Sequence, residues 1–249
     1  MNIAVCISQV PDTSARIKIA SDGKTIETAD VNFVINPYDE FALEEAVKLK
    51  EKFAGSTVSV FTIGGDNVIA NLRKAFAVGA DKAVHLKDET PKDAAGVAAI
   101  LAEAIKSHFG AVPDLVFFGK ESTDFNDAQV GPMVAELLGI PAVTVVVALE
   151  TDGTTAKIER EIEGGKEMIE AGLPLVITAQ KGLNTPRVAN MKGIMAAKSK
   201  PIETKPVSTD AHSKLSLTKL EKPPQKQVGK MVGTAAELVG LLHTEAKVV

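Results

Sequence analysis

The chain has 249 residues, 45% of them hydrophobic, 24% charged, with a net charge of −4, which suits one soluble α/β domain with an appendage. The negative balance, the lack of tryptophan and the single tyrosine argue against a nucleic-acid-binding surface or an anionic-membrane binder. One cysteine rules out an internal disulfide and a cysteine-based zinc site, and no apolar run is long enough to span a bilayer.

In chain order, Asn2 to Ser8 reads as a first strand, with Cys6 a buried thiol inside it. It begins without a basic leader or cleavage site, so a cytoplasmic protein is expected. Residues 9–15 contain Pro11, Asp12 and Thr13 and read as a loop at the carboxyl end of that strand, where open α/β sheets bind ligands. Asp22-Gly23 is a hairpin signal between two short alternating runs. Asn36-Pro37-Tyr38-Asp39 starts a helix whose apolar face carries Phe41, Ala42, Ala46 and Leu49. Asn36 is most simply a helix-entry turn, with a place in the strand-end crevice as the alternative.

Ser56 to Ile63 is a second core strand. Gly64-Gly65 then leads into a helix from Val68 to Val78. A strand over 82–86 and an alanine-rich helix over 94–109 follow. Next comes DLVFFGKESTDFNDAQVGPMVAELLG, residues 114–139: a strand at Leu115 to Phe118, a polar loop, and a helix stopped by Gly139. Strand, polar loop and helix N-terminus form an arrangement that binds phosphate through free backbone N–H groups. Ser122, Thr123 and Gln129 add polar side chains, and Gly131 permits close approach. The plain alternative is an ordinary capped connection. Strands alternating with helices as far as residue 149 predict a parallel, three-layer α/β sheet.

After residue 149 the texture changes. Lys157 to Glu163, Lys166 to Glu170 and Leu173 to Ala179 read as an antiparallel meander. From Gly182 onward regular structure is expected to thin, and residues 201–233 lack apolar periodicity. Thr234-Ala-Ala-Glu237 matches a capping box and opens a terminal helix, so an extended arm docking onto a partner or onto the body is expected. The expected organisation is an α/β body over 1–182, a recognition segment over 183–204 and an arm over 205–249. The histidines, His85, His108, His212 and His243, lack metal-ligand spacing and no nucleophile–base pair stands out. This argues for a binding subunit rather than an enzyme.

Residues 158–178, IEREIEGGKEMIEAGLPLVIT, resemble the signature of the electron-transfer flavoprotein beta subunit. Its elements here are Arg160, Glu163, Gly164, Gly165, Glu167, Ile169, Pro174, Val176, Ile177 and Thr178. An NPxxE helix start at Asn36, the segment Ala75 to Asp81 and a GKxxxDxxxxQxG loop from Gly119 to Gly131 occur in the family's order. The resemblance implies an adenine nucleotide hydrolase-like fold and an electron carrier rather than an enzyme. It implies a heterodimer with an alpha subunit that holds most of the FAD, with AMP bound structurally in this subunit. The implied AMP pocket comprises Cys6, Asn36, Pro37, Tyr38, Asp39, Ile63, Ser122, Thr123, Asp124, Phe125, Asn126, Asp127, Ala128, Gln129, Val130, Gly131, Pro132 and Met133.

Pro11, Asp12 and Thr13 would approach the flavin; relatives with a tyrosine there have Thr13 in this chain. Met191, with Ile194 and Met195, occupies the implied dehydrogenase-recognition position. A short helix packing Met191 and Met195 on the domain is the alternative. Implied partners are acyl-CoA or related flavin dehydrogenases as donors and a quinone oxidoreductase as acceptor. Bifurcating members hold a second FAD and have a loop reading Asp-Gly-Asp-Thr. Here Phe125 and Asp127 are expected to crowd and repel a diphosphate, favouring AMP. A universal-stress-like nucleotide sensor and an adenylate-transferring or dehydrogenase enzyme are the other readings.

Overall fold

The computed structural model describes residues 1–207, 213–225 and 229–249. Its strands are β1 (Asn2–Cys6), β2 (Gln9–Pro11), β3 (Phe33–Ile35), β4 (Thr57–Gly64), β5 (Lys82–Lys87), β6 (Leu115–Gly119), β7 (Ala142–Thr151), β8 (Thr155–Ile162), β9 (Gly165–Gly172), β10 (Leu175–Ala179) and β11 (Glu203–Pro206). Its helices are α1 (Pro37–Lys52), α2 (Ile69–Val78), α3 (Ala94–Phe109), α4 (Val130–Leu138), α5 (Met191–Ser199) and α6 (Ala235–Leu241).

Nine strands form one sheet in the order β11-β5-β4-β1-β6-β10-β7-β8-β9, parallel from β11 to β7 and antiparallel from β7 to β9. The central strands are almost wholly buried and mostly apolar because helices cover both faces. Ile3, Val5, Val60, Phe117 and Ile177 point into one core with α1 and α2. Ala4, Phe61, Val84, Val116 and Val176 point into the other with α3 and α4. This is the expected three-layer α/β body.

Three sequence expectations change. Leu175–Ala179 does not close an antiparallel meander: β10 lies between β6 and β7 and is parallel to both. Its run of five buried residues is the pattern of a strand covered on both faces, which local periodicity cannot distinguish from a short strand beside its predecessor. Regular structure does thin after residue 182, but residues 191–206 are more ordered than expected. Helix α5 packs on α2, and β11 extends the sheet beside β5. Finally, residues 9–11 are not loop but β2, paired antiparallel with β3. The Asp22-Gly23 hairpin forms, held by a bridge between Ile19 and Ile26.

Of the arm, residues 208–212, including His212, and residues 226–228 lie outside the described residues. Among the described residues no helix is long and apolar enough to cross a membrane.

Candidate functional site

Strand order reverses at β1: the chain runs outward through β4 and β5 on one side and through β6 on the other. Loops leaving β1 and β6 therefore separate across a crevice, the position where open α/β sheets take ligands. Asp39, in the first turn of α1, bridges that crevice. Its Oδ2 accepts from Ser8 N at 2.7 Å and Ser8 Oγ at 2.9 Å, just past β1. Its Oδ1 accepts from Gly119 N at 2.9 Å, at the end of β6, and from Asn36 Nδ2 at 3.0 Å. Gly119 is required there, since a Cβ would lie 2.5 Å from Asp39 Oδ1 and 2.8 Å from its backbone N.

Asn36, also buried, carries the connection into the polar loop. Its Nδ2 donates to Glu121 O at 2.9 Å, and its Oδ1 accepts from Thr123 N at 3.3 Å. Pro37 fixes the first turn of α1, and Tyr38 lies beneath the Lys120 ammonium, 5.0 Å from ring centre to Nζ. Cys6 is buried behind Asp39, and burial together with that carboxylate pushes its thiol well up, so it is an inert thiol as expected.

The loop from Ser122 to Gln129 turns through left-handed backbone at Asn126 and Ala128 and enters α4. Helix α4 starts at Val130, and Gln129 at its N-cap makes no side-chain cap, which leaves its first N–H groups, on Val130 and Gly131, as a positive pole. Gly131 lets the helix close onto β10: a Cβ would sit 2.7 Å from Thr178 Cγ2. Pro132 follows within the first turn, and Met133 and Ile63 pack against the core under α3 and α4. Phe125 does not crowd this space; it is 74% exposed, and Asp124 and Asp127 are exposed beside it. The expected steric exclusion by Phe125 is thus corrected: the loop turns its ring to solvent.

The electron transfer flavoprotein domain model matches residues 23–210. The electron transfer flavoprotein subunit beta of Bacillus subtilis is 40% identical over the full length of both chains. The mitochondrial subunit beta of Arabidopsis thaliana is 36% identical, again over all of both chains. The chain belongs to the electron transfer flavoprotein beta-subunit family. The human subunit beta is 36% identical over 97% of this chain and 96% of its own.

Two further regions carry residues that the family resemblance singles out. Pro11 ends β2 opposite Phe33, and Asp12 N donates to Asn32 O at 2.8 Å. The Asp12 carboxylate accepts from Ser14 N and Oγ, at 2.8 and 2.6 Å; those bonds hold it below the usual carboxylate range and leave Thr13 exposed at the tip. Gln9 and Asn67 exchange amide hydrogen bonds, tying this ribbon to the loop after β4.

Met191, Ile194 and Met195 lie on α5, which Asn190 caps by accepting from Gly193 N at 2.8 Å. The packed side of α5 is Gly193 and Ala197. A Cβ on Gly193 would fall 2.3 Å from Ala77 O, so only glycine permits this approach to α2. Arg73 of α2 donates to Ala197 O at 2.7 Å and to Lys200 O. The outer side presents Met191 and Met195, 73% and 59% exposed, with Ile194 between them. The alternative in which both methionines pack on the domain is thereby excluded. Lys200 is drawn inward to Ala80 O at 2.7 Å, leaving Lys192 and Lys198 exposed beside the methionines.

The residues that sequence reasoning missed are Ser8 and the carboxylate role of Asp39. Only the Asn36–Pro37 turn hinted at a link to the crevice.

Proposed function

We propose that this chain is the beta subunit of a heterodimeric electron carrier that binds AMP structurally in the crevice between β1 and β6. The alpha subunit would hold most of the FAD, with the Pro11 to Thr13 turn closing over it. The pair would take electrons from flavin dehydrogenases such as acyl-CoA dehydrogenases and pass them to a quinone oxidoreductase. The subunit itself carries no catalytic site, works in the cytoplasm, and is organised as body, recognition segment and arm over 1–182, 183–204 and 205–249.

The observation that supports AMP is the convergence of an uncapped α4 N-terminus with the Asn36–Asp39 corner at one switch point. Asp127, in the loop beside that N-terminus, stands where the loop of second-FAD members has a threonine, and its charge disfavours a diphosphate. A second FAD in place of AMP is the alternative reading. Denaturing the purified heterodimer and identifying the released nucleotides by mass decides between them. The expected result is one AMP and one FAD per heterodimer; two FAD overturns the AMP assignment.

A further inference from the structure

The Asp39 carboxylate has both oxygens occupied by protein donors: Ser8 N and Oγ on Oδ2, Asn36 Nδ2 and Gly119 N on Oδ1. It is 5% exposed. It therefore has little left to offer a ligand directly. Burying a carboxylate is unfavourable in itself, so packing alone does not explain it. What its bonds do is fix Asn36, which in turn holds Glu121 O and Thr123 N of the nucleotide loop.

Protonation does not fit this shell. A proton on Oδ1 would face two N–H donors, Gly119 and Asn36. A proton on Oδ2 would face the Ser8 N–H, and only the Ser8 hydroxyl could turn to accept it. We propose that ionised Asp39 is the positioning residue of the nucleotide loop, so that residues 119–126 take their binding shape only while its carboxylate is charged. What the loop holds rests on the function proposed above; the positioning role does not.

Burial raises the Asp39 carboxyl to about 6, against the opposing pull of its four hydrogen bonds. The charge is thus present above that pH and lost below it. The titratable groups around it are Cys6 from β1, a neutral thiol, and Tyr38 and Glu40 from its own helix. Past β6, Lys120 and Glu121 pair with each other at 3.2 Å.

Hydrogen exchange of the 119–126 peptide in the intact heterodimer tests this, comparing wild type, Asp39→Asn and Asn36→Ala at pH about 7.5 and about 5. The substitution at Asp39 is expected to speed exchange about fivefold or more at the higher pH and to match wild type at the lower. Asn36→Ala is expected to exchange fast at both. Wild-type protection in Asp39→Asn at the higher pH overturns the proposal. If that variant does not fold, Asn36→Ala decides: a loop that keeps the wild-type pH response without Asn36 overturns it equally. Nucleotide mass on the same samples separates the two readings. Exchange behaving as expected with no AMP released supports the positioning role and refutes the AMP assignment.

Discussion

Arg187 closes a two-pronged bond on Glu44, with Nε to Oε2 at 2.9 Å and Nη2 to Oε1 at 3.0 Å. Glu44 is buried on α1, and Arg187 stands four residues before the exposed methionine stripe of α5. The guanidinium also reaches Glu51, at 2.6 and 3.0 Å, and these carboxylates raise the Arg187 pKa still further, so its charge is permanent. Asn184 adds hydrogen bonds to Phe41 O and Glu45 Oε2. The segment leading into α5 is therefore clamped to α1 at two points.

Arg187→Ala should lower stability by about 2 kcal/mol in urea unfolding, because it strands the buried Glu44 carboxylate. Arg187→Lys should recover only part of that loss, since an ammonium cannot make the two-pronged contact. A stability equal to wild type in Arg187→Ala would mean that the clamp is dispensable.

Met191→Ala should weaken dehydrogenase binding by about 1–2 kcal/mol. Methionine is unbranched and polarizable, which suits a carrier whose partners present pockets of differing shape. Since the side chain is 73% exposed, thermal stability and flavin content should not change. Steady-state electron transfer with an unaltered apparent KM would remove Met191 from the recognition surface. Raising ionic strength should slow encounter through Lys192 and Lys198, both exposed, but not through Lys200, which is turned inward.

Removing residues 207–249 should abolish co-purification with the alpha subunit and leave the body folded. Helix α6 opens on the expected capping box, with Thr234 Oγ1 accepting from Glu237 N at 3.2 Å, yet buries none of its residues in this chain. Leu238 and Val239 remain exposed. Cutting after Pro206 keeps β11 and its pairing with β5. A truncated chain that still binds the alpha subunit would contradict the docking role of the arm.

Two buried groups should oppose each other in the pH dependence of stability. Burial depresses the His108 pKa; the ring packs edge-on against Phe61 and hydrogen-bonds Ser59 Oγ at 3.1 Å. A histidine depressed in the folded state contributes stability above its unfolded pKa and loses it as pH falls toward the folded one. Asp39 behaves oppositely: its folded value of about 6 lies above the ordinary 3.8. Burial of this carboxyl therefore favours the fold at low pH, a contribution lost as pH rises between the two values and partly offset below about 6 by the loop contacts that its charge holds. In His108→Gln only the Asp39 effect remains, so stability should rise relative to wild type as pH drops from about 7 to about 5. A parallel pair of pH–stability curves would show that His108 does not titrate in this window.

The sequence alone determined what depends on neighbours along the chain. Gly139 and the capping box over 234–237 set helix ends, and the alternating strands and helices set a parallel sheet. These signals are backbone conformation and burial period, written within a few residues. Tertiary structure decided which strand adjoins which. Leu175–Ala179 is buried on every residue, Thr178 included, and nothing local says that it inserts between β6 and β7. It also decided which side of α5 faces solvent, through the contact of Gly193 with Ala77 O. Finally, it gave Asp39 its role, because its donors on Ser8 and Gly119 lie 31 and 80 residues away, and a hydrogen-bond partner at that separation leaves no mark on local sequence period.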